Sequence, residues 1–117
     1  MTKPQAHRYR WQDLDSHHLS PTVARRAIMA ERFTLARFEL EAGALIAKHA
    51  HEHEQVTYVE AGRLRLWVGE DDEQLHELAA GDVLHIPSTL PHRVEAIEAT
   101  RVMDVFCPRR EDWLADT

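Results

Sequence analysis

A period-two alternation, interrupted every few residues by turn signals, constrains this chain more than any other feature. Thr34, Ala36, Phe38 and Leu40 share one face of the segment from Phe33 to Leu40. Leu64, Leu66 and Val68 alternate with Arg63, Arg65 and Trp67, and Val102, Asp104 and Phe106 oppose Met103, Val105 and Cys107. Successive side chains of a strand point to opposite faces, so these segments are expected to be half-buried strands. Turn signals fall at Ala42-Gly43, Ala61-Gly62, Gly69 to Asp72, Ala80-Gly81 and Pro87 to Pro91. Short strands at that spacing predict an all-β antiparallel sandwich or barrel. The stretch from Pro21 to Ala30 admits a helix, but a strand is the expectation. A short helical turn is expected at Arg109 to Leu114, after Pro108, with Trp113-Leu114 as an apolar cap on the barrel.

The 117 residues suit one domain, and no repeat or linker divides them. Residues 1–22 are expected to be an irregular N-terminal arm, with Ser20-Pro21 as a turn, and residues 23–117 the folded domain. Lys plus Arg number 14 against 20 Asp plus Glu, a formal charge of -6. That balance argues against general affinity for nucleic acid or anionic membranes. No apolar run approaches the ~20 residues of a membrane span, and no secretory signal is expected in the polar, basic Met1 to Trp11. A cytoplasmic protein is therefore expected. Cys107 is the single cysteine, so no intrachain disulfide framework can form, and a buried inert thiol is expected there.

Nine histidines are present, and three of them fall in His49-Ala50-His51-Glu52-His53-Glu54-Gln55. Positions i and i+2 of a strand point to the same side, so His49 and His51 can converge on one ion. Neutral imidazole is a common ligand of divalent transition metals. In a straight strand, positions 49, 51, 53 and 55 would stand in line and could not wrap one ion. The chain is therefore expected to bend near Glu52 to Glu54, with His53 turning away and Gln55 returning. His92 would arrive from a distant strand. His53, His7, His17, His18 and His76 are expected in solvent, and His85 is expected to be structural. Asp104 is a carboxylate in an otherwise apolar strand, which is costly unless it is paired, solvated at an edge, or functional.

The spacing resembles the cupin family, in which small jelly-roll β-barrels carry two motifs. The first reads Gly43, five residues, His49-x-His51, three residues, Gln55, six residues, Gly62. The second reads Gly81, five residues, Pro87-x-Thr89, two residues, His92, then Ala96. Gln55 stands where the family has glutamate, Thr89 where it has glycine, and Ala96 where it has asparagine. The resemblance implies one divalent metal (Ni, Zn, Fe, Mn or Co) held by His49, His51, Gln55 and His92. With glutamine in place of glutamate, a divalent site keeps its full +2 charge and favours an anionic ligand from the substrate.

The segment His49 to Gln55, together with Asp104-Val105-Phe106 and Arg110-Glu111-Asp112-Trp113-Leu114, is similar to a narrower group, the KdgF-like cupins. These are called pectin degradation proteins or unsaturated-uronate linearising enzymes. That resemblance implies Asp104, Phe106 and Arg110 as active-site residues. It also implies as substrate a small anionic sugar, a 4,5-unsaturated uronate from pectin or alginate breakdown, converted to the linear keto acid. Small cupins also include dioxygenases, sugar isomerases and ligand-sensing modules, and these remain the alternatives. Free strand edges of small barrels favour pairing, so a homodimer is expected.

Overall fold

A computed structural model describes residues 3–116. Ten strands follow one another: β1 (His17–Ser20), β2 (Val23–Met29), β3 (Thr34–Leu40), β4 (Leu45–His49), β5 (Glu54–Ala61), β6 (Arg63–Val68), β7 (Gln74–Ala79), β8 (Val83–Ile86), β9 (His92–Ala96) and β10 (Thr100–Cys107). They form two facing sheets, a six-stranded one ordered β1-β2-β3-β10-β5-β8 and a four-stranded one ordered β4-β9-β6-β7. Every pairing is antiparallel. The turn signals read at residues 42–43, 61–62, 69–72, 80–81 and 87–91 fall at the links between these strands.

The alternation read from the sequence is the burial pattern observed. Thr34, Ala36, Phe38 and Leu40 are buried on β3, and Leu64, Leu66 and Val68 on β6. Burying a side chain of Leu or Ile size contributes roughly 1.5–3 kcal/mol, so this inner layer holds the sheets together. Gly62 shows what the tight β5–β6 turn demands. Its φ is +90°, and a Cβ there would collide with the Ala99 carbonyl and with Thr100. Only glycine meets both conditions.

Three expectations need correction. The N-terminal arm is not irregular as far as residue 22: His17–Ser20 pairs with β2 across the Pro21-Thr22 turn. The alternation there was too short to signal a strand. Cys107 is exposed, not buried. It follows Met103 and Val105 on the outer face of β10, and Phe106 takes the inner place. His53 is 7% exposed, not solvated, because the bend at Glu52-His53 turns its ring against those of His51 and Phe106. The expected terminal turn exists as a 3-10 segment, Glu111–Asp116.

Thr89, in the place of the motif glycine, has φ 66°, the left-handed region that β-branched residues avoid. Its N–H donates to the His51 carbonyl at 2.8 Å, so the loop before β9 is tied to the histidine segment. Thr89→Gly relieves the strain but adds unfolded-chain entropy, and the two effects offset in part. The expected result is a gain of up to ~1 kcal/mol, measured as a higher urea midpoint with an unchanged m-value.

Candidate metal centre and active site

The register assembles the site in layers. Gln55 lies opposite Phe106 on one side and Ile86 on the other, and Phe106 lies opposite Thr34. One step deeper, Asp104 lies between Thr57 and Ala36. From the other sheet, His49 ends β4 and pairs with His92 at the start of β9. His51 stands in the link between β4 and β5. Residues 43 positions apart are thus brought to one end of the barrel, because β4 and β9 are neighbours in the four-stranded sheet.

His49, His51 and His92 each offer a ring nitrogen, and these atoms lie within 4.8 Å of one another, an arrangement that could hold a metal ion. Their other nitrogens are engaged. Nδ1 of His49 meets the Ala47 carbonyl at 2.9 Å, Nδ1 of His51 the His53 carbonyl at 3.0 Å, and Nδ1 of His92 the Leu90 carbonyl at 2.9 Å. A carbonyl can only accept, so each Nδ1 carries the proton and each Nε2 keeps its lone pair for a ligand. His92 Nε2 is buried with no hydrogen-bond partner among the described residues. Burial pushes the His92 imidazole down to about 4, with the neighbouring histidines and Arg110 adding to the effect. Burial, and then Arg110, lowers His51 in the same way. Both rings are therefore neutral near pH 7, the state in which imidazole binds metals.

Gln55 is buried, and its Oε1 lies 3.1 Å from His51 Nε2. Its Nε2 donates to Thr57 Oγ1 at 2.9 Å. With the amide N–H groups directed at Thr57, an oxygen lone pair and an imidazole lone pair face each other across the site. Two acceptors at that distance repel unless a cation lies between them, so the donor set fits a metal. Thr57 was not singled out from the sequence. It shares the inner face of β5 with Gln55 two positions away, a period-two signal that could have found it.

Asp104 is buried, and its Oδ1 has no hydrogen-bond partner among the described residues. Burial pushes its carboxyl up to about 7, against the opposing effects of hydrogen bonds from Thr57 and Gln55 and of the Arg110 charge. Asp104 thus touches the same amide and hydroxyl that orient Gln55. Arg110 is buried over the ring of Phe106, 4.8 Å from its centroid, and over Trp113 at 4.5 Å. Its backbone N–H donates to Thr34 Oγ1 at 2.9 Å, and its Nε and Nη2 grip Asp112 at 3.1 and 2.8 Å. That bidentate grip fixes the plane of the guanidinium. Trp113 meets Phe106 and Phe38 edge-on, which seats the terminal turn on the barrel as its apolar pair predicted. Arg25, also buried, stacks on Trp113, 3.9 Å from its ring centroid.

A cavity of about 380 Å³ joins these groups. His49, Gln55, His92, Asp104, Phe106 and Arg110 all line it, and Asp104 is the one carboxylic acid among its lining residues. Val94, Val102, Leu64 and Leu66 supply apolar walls. His85 lies outside it, exposed on β8 and 2.6 Å from Glu54.

A family model described as a cupin domain matches residues 36–106. The chain belongs to the cupin family. An uncharacterized protein of Streptomyces coelicolor is 28% identical over 102 residues, which cover 86% of this chain and 94% of that protein. The solved structure of KdgF from Halomonas sp. has a TM-score of 0.84 at 24% identity, over 92% of this chain and 98% of that one. An RmlC-like cupin from Shewanella frigidimarina also has a TM-score of 0.84 at 24% identity, over 93% of this chain and 96% of that one. The two structural likenesses establish the jelly-roll fold of this cupin. With its histidine cluster and the adjoining cavity, the cupin has the architecture of a small-molecule enzyme or ligand binder.

Proposed function

We propose that this cupin converts cyclic 4,5-unsaturated uronates into linear 4-deoxy-5-keto uronates, with one divalent ion held by His49, His51, Gln55 and His92. The observation that carries the reading is the buried Asp104 carboxyl. It stands beside a wholly neutral ligand set and shares a cavity with the Arg110 guanidinium.

The reaction is an isomerisation and needs no co-reactant. The bond from C1 to the ring oxygen breaks, and O1 loses its proton as C1 becomes an aldehyde. The former ring oxygen becomes the enol oxygen at C5, and a proton added at C4 leaves the ketone. A bound divalent ion would supply Lewis acidity toward the carboxylate and the developing enol oxygen. Arg110 orients the substrate carboxylate, a task its planar fork suits. The Asp112 contact holds one edge of that fork and leaves the remaining N–H groups for substrate. Phe106 forms an apolar wall for the sugar face. Asp104 moves a proton, and the hydrogen bonds from Thr57 and Gln55 hold its carboxyl in place. The walls that bury Asp104 exclude water, which strengthens each of these electrostatic contacts.

Incubating purified, metal-loaded protein with unsaturated galacturonate and unsaturated mannuronate tests the reading. Loss of the alkene absorbance faster than spontaneous opening is the expected result. No acceleration with either sugar would overturn it.

The neutral ligand set carries its own prediction. Gln55→Glu is expected to bind metal at least as well as wild type, because an anionic oxygen is the stronger ligand. Substrate would then meet a less positive ion beside a new negative charge, and kcat/KM should fall about tenfold or more. Elemental analysis with steady-state kinetics on the one variant decides. Unchanged kinetics at unchanged metal content would remove the electrostatic role of Gln55.

A further inference from the structure

His49 reaches the cavity by breaking the period of its own strand. Ile46 and His49 both line the cavity, although they stand three residues apart on β4. In a regular strand an odd separation puts two side chains on opposite faces. The register shows how the parity is reversed. Ile46 pairs with Val94 and His49 with His92, so two residues, Ala47 and Lys48, stand opposite the single Arg93. That two-against-one count is a β-bulge, which re-aims the side chains that follow it. Without it, His49 would point away from His51 and His92. β4 is an edge strand with a hydrogen-bonded neighbour on one side only. His49 is also the exposed member of the three histidines. Neither a second flanking strand nor burial therefore holds the bulge in place.

A carboxylate from another loop does. Asp72, in the link between β6 and β7, has its Oδ1 3.0 Å from Lys48 Nζ, and its Oδ2 accepts from Arg93 Nε at 3.1 Å. The bulged residue and the residue opposite it thus meet on one group. Lys48 Nζ also donates to the Glu70 carbonyl at 2.8 Å, in the same link. The Arg93 guanidinium stacks on Trp67, 3.9 Å from the ring centroid, which fixes its plane. The Gly69 N–H donates to the Pro91 carbonyl at 2.8 Å, so the link is seated on the residue before His92. Asp72 has φ 56°. Aspartate tolerates the left-handed region better than most residues, yet the conformation still costs energy. Such strain persists where the surroundings hold it, and it gathers at functional sites.

We propose that Asp72 is a positioning residue of the metal centre. Through Lys48 and Arg93 it clamps the bulge of β4, and so aims His49 at the point it shares with His51 and His92. The proposal rests on the reading of His49 as a ligand and is independent of the uronate reaction. Partly exposed ion pairs contribute little to overall stability, because solvent screens them and ordering long side chains costs entropy. Ligand orientation is a separate quantity. Groups that hold metal ligands from outside commonly change metal affinity by about 10–100-fold.

Co(II) binding by the full chain tests the clamp. Competition with a chromophoric chelator gives the Kd, and the visible absorption of bound Co(II) reports the ligand geometry. Asp72→Asn keeps the size of the side chain and its tolerance of the left-handed region. Lys48→Met frees the bulge from the other end and decides alone if Asp72→Asn does not fold. The first variant removes a negative charge and the second a positive one. A long-range charge effect would therefore move their affinities in opposite directions, whereas loss of the clamp weakens both. Each variant is expected to raise the Kd for Co(II) about tenfold or more and to alter the visible spectrum. The urea midpoint of the metal-free protein should stay close to that of the wild type. Wild-type Kd and spectrum in the folded variants would overturn the proposal and leave the metal centre standing. Opposite shifts in the two variants would overturn it as well. A wild type that takes up no Co(II) would overturn the metal centre and the clamp together.

Discussion

Asp104→Asn is expected to lower turnover of unsaturated uronate by ~10²–10⁴-fold, the usual worth of a general acid–base group. The change is nearly isosteric, and an asparagine can still take the hydrogen bonds that Thr57 and Gln55 give to Asp104. The ligand set and the cavity walls are untouched, so metal content should stay at about one ion per chain. What the variant lacks is a group able to hold and release a proton. The loss should appear in kcat, with KM changing little, because Arg110 still binds the carboxylate. Alkene absorbance with either uronate measures it, and elemental analysis of the same sample is the control. Activity within a few-fold of wild type would remove Asp104 from the proton transfer and leave the cupin assignment intact.

His92→Ala should be nearly metal-free. His92 is 1% exposed, and its unpartnered Nε2 is the deepest of the three converging nitrogens. The expected metal content falls from about one per chain to below about a tenth. A ligand that binds only the folded state stabilises it in proportion to RT ln(1 + [L]/Kd). A chelator should therefore lower the Tm of the wild type and leave that of His92→Ala where it was. Equal metal content in the two proteins would exclude His92 as a ligand.

Strand existence, the inward faces of β3, β6 and β10, and the spacing of the two histidine-bearing segments were legible in the chain because they depend on local periodicity. A one-residue slip would expose every inner side chain, so alternation specifies the face strongly. The strand His17–Ser20 was not legible, because four residues hold too little pattern and its pairing is made by the hairpin. Cys107 and His53 were misplaced for related reasons. Apolar neighbours in sequence say nothing about which face of a two-sided strand is covered. The bend at Glu52-His53 turned an expected surface histidine into a buried one packed beside His51 and Phe106.

The site divides in the same way. The sequence by itself determined the residue types and spacing of the proposed ligands, and that no carboxylate is among them, since these follow from residue identity. It also marked Asp104 as anomalous, since a carboxylate among apolar residues needs a reason. The tertiary structure decided that His49 meets His92 across β4 and β9, and that Thr57 orients Gln55 and touches Asp104. It also decided that Arg110 is held by Thr34 and Asp112. His49 with His92, Thr57 with Asp104 and Thr34 with Arg110 join residues far apart in the chain through sheet order and register, which no local pattern encodes. They arise only when the two sheets close on one another and exclude water from the groups between them.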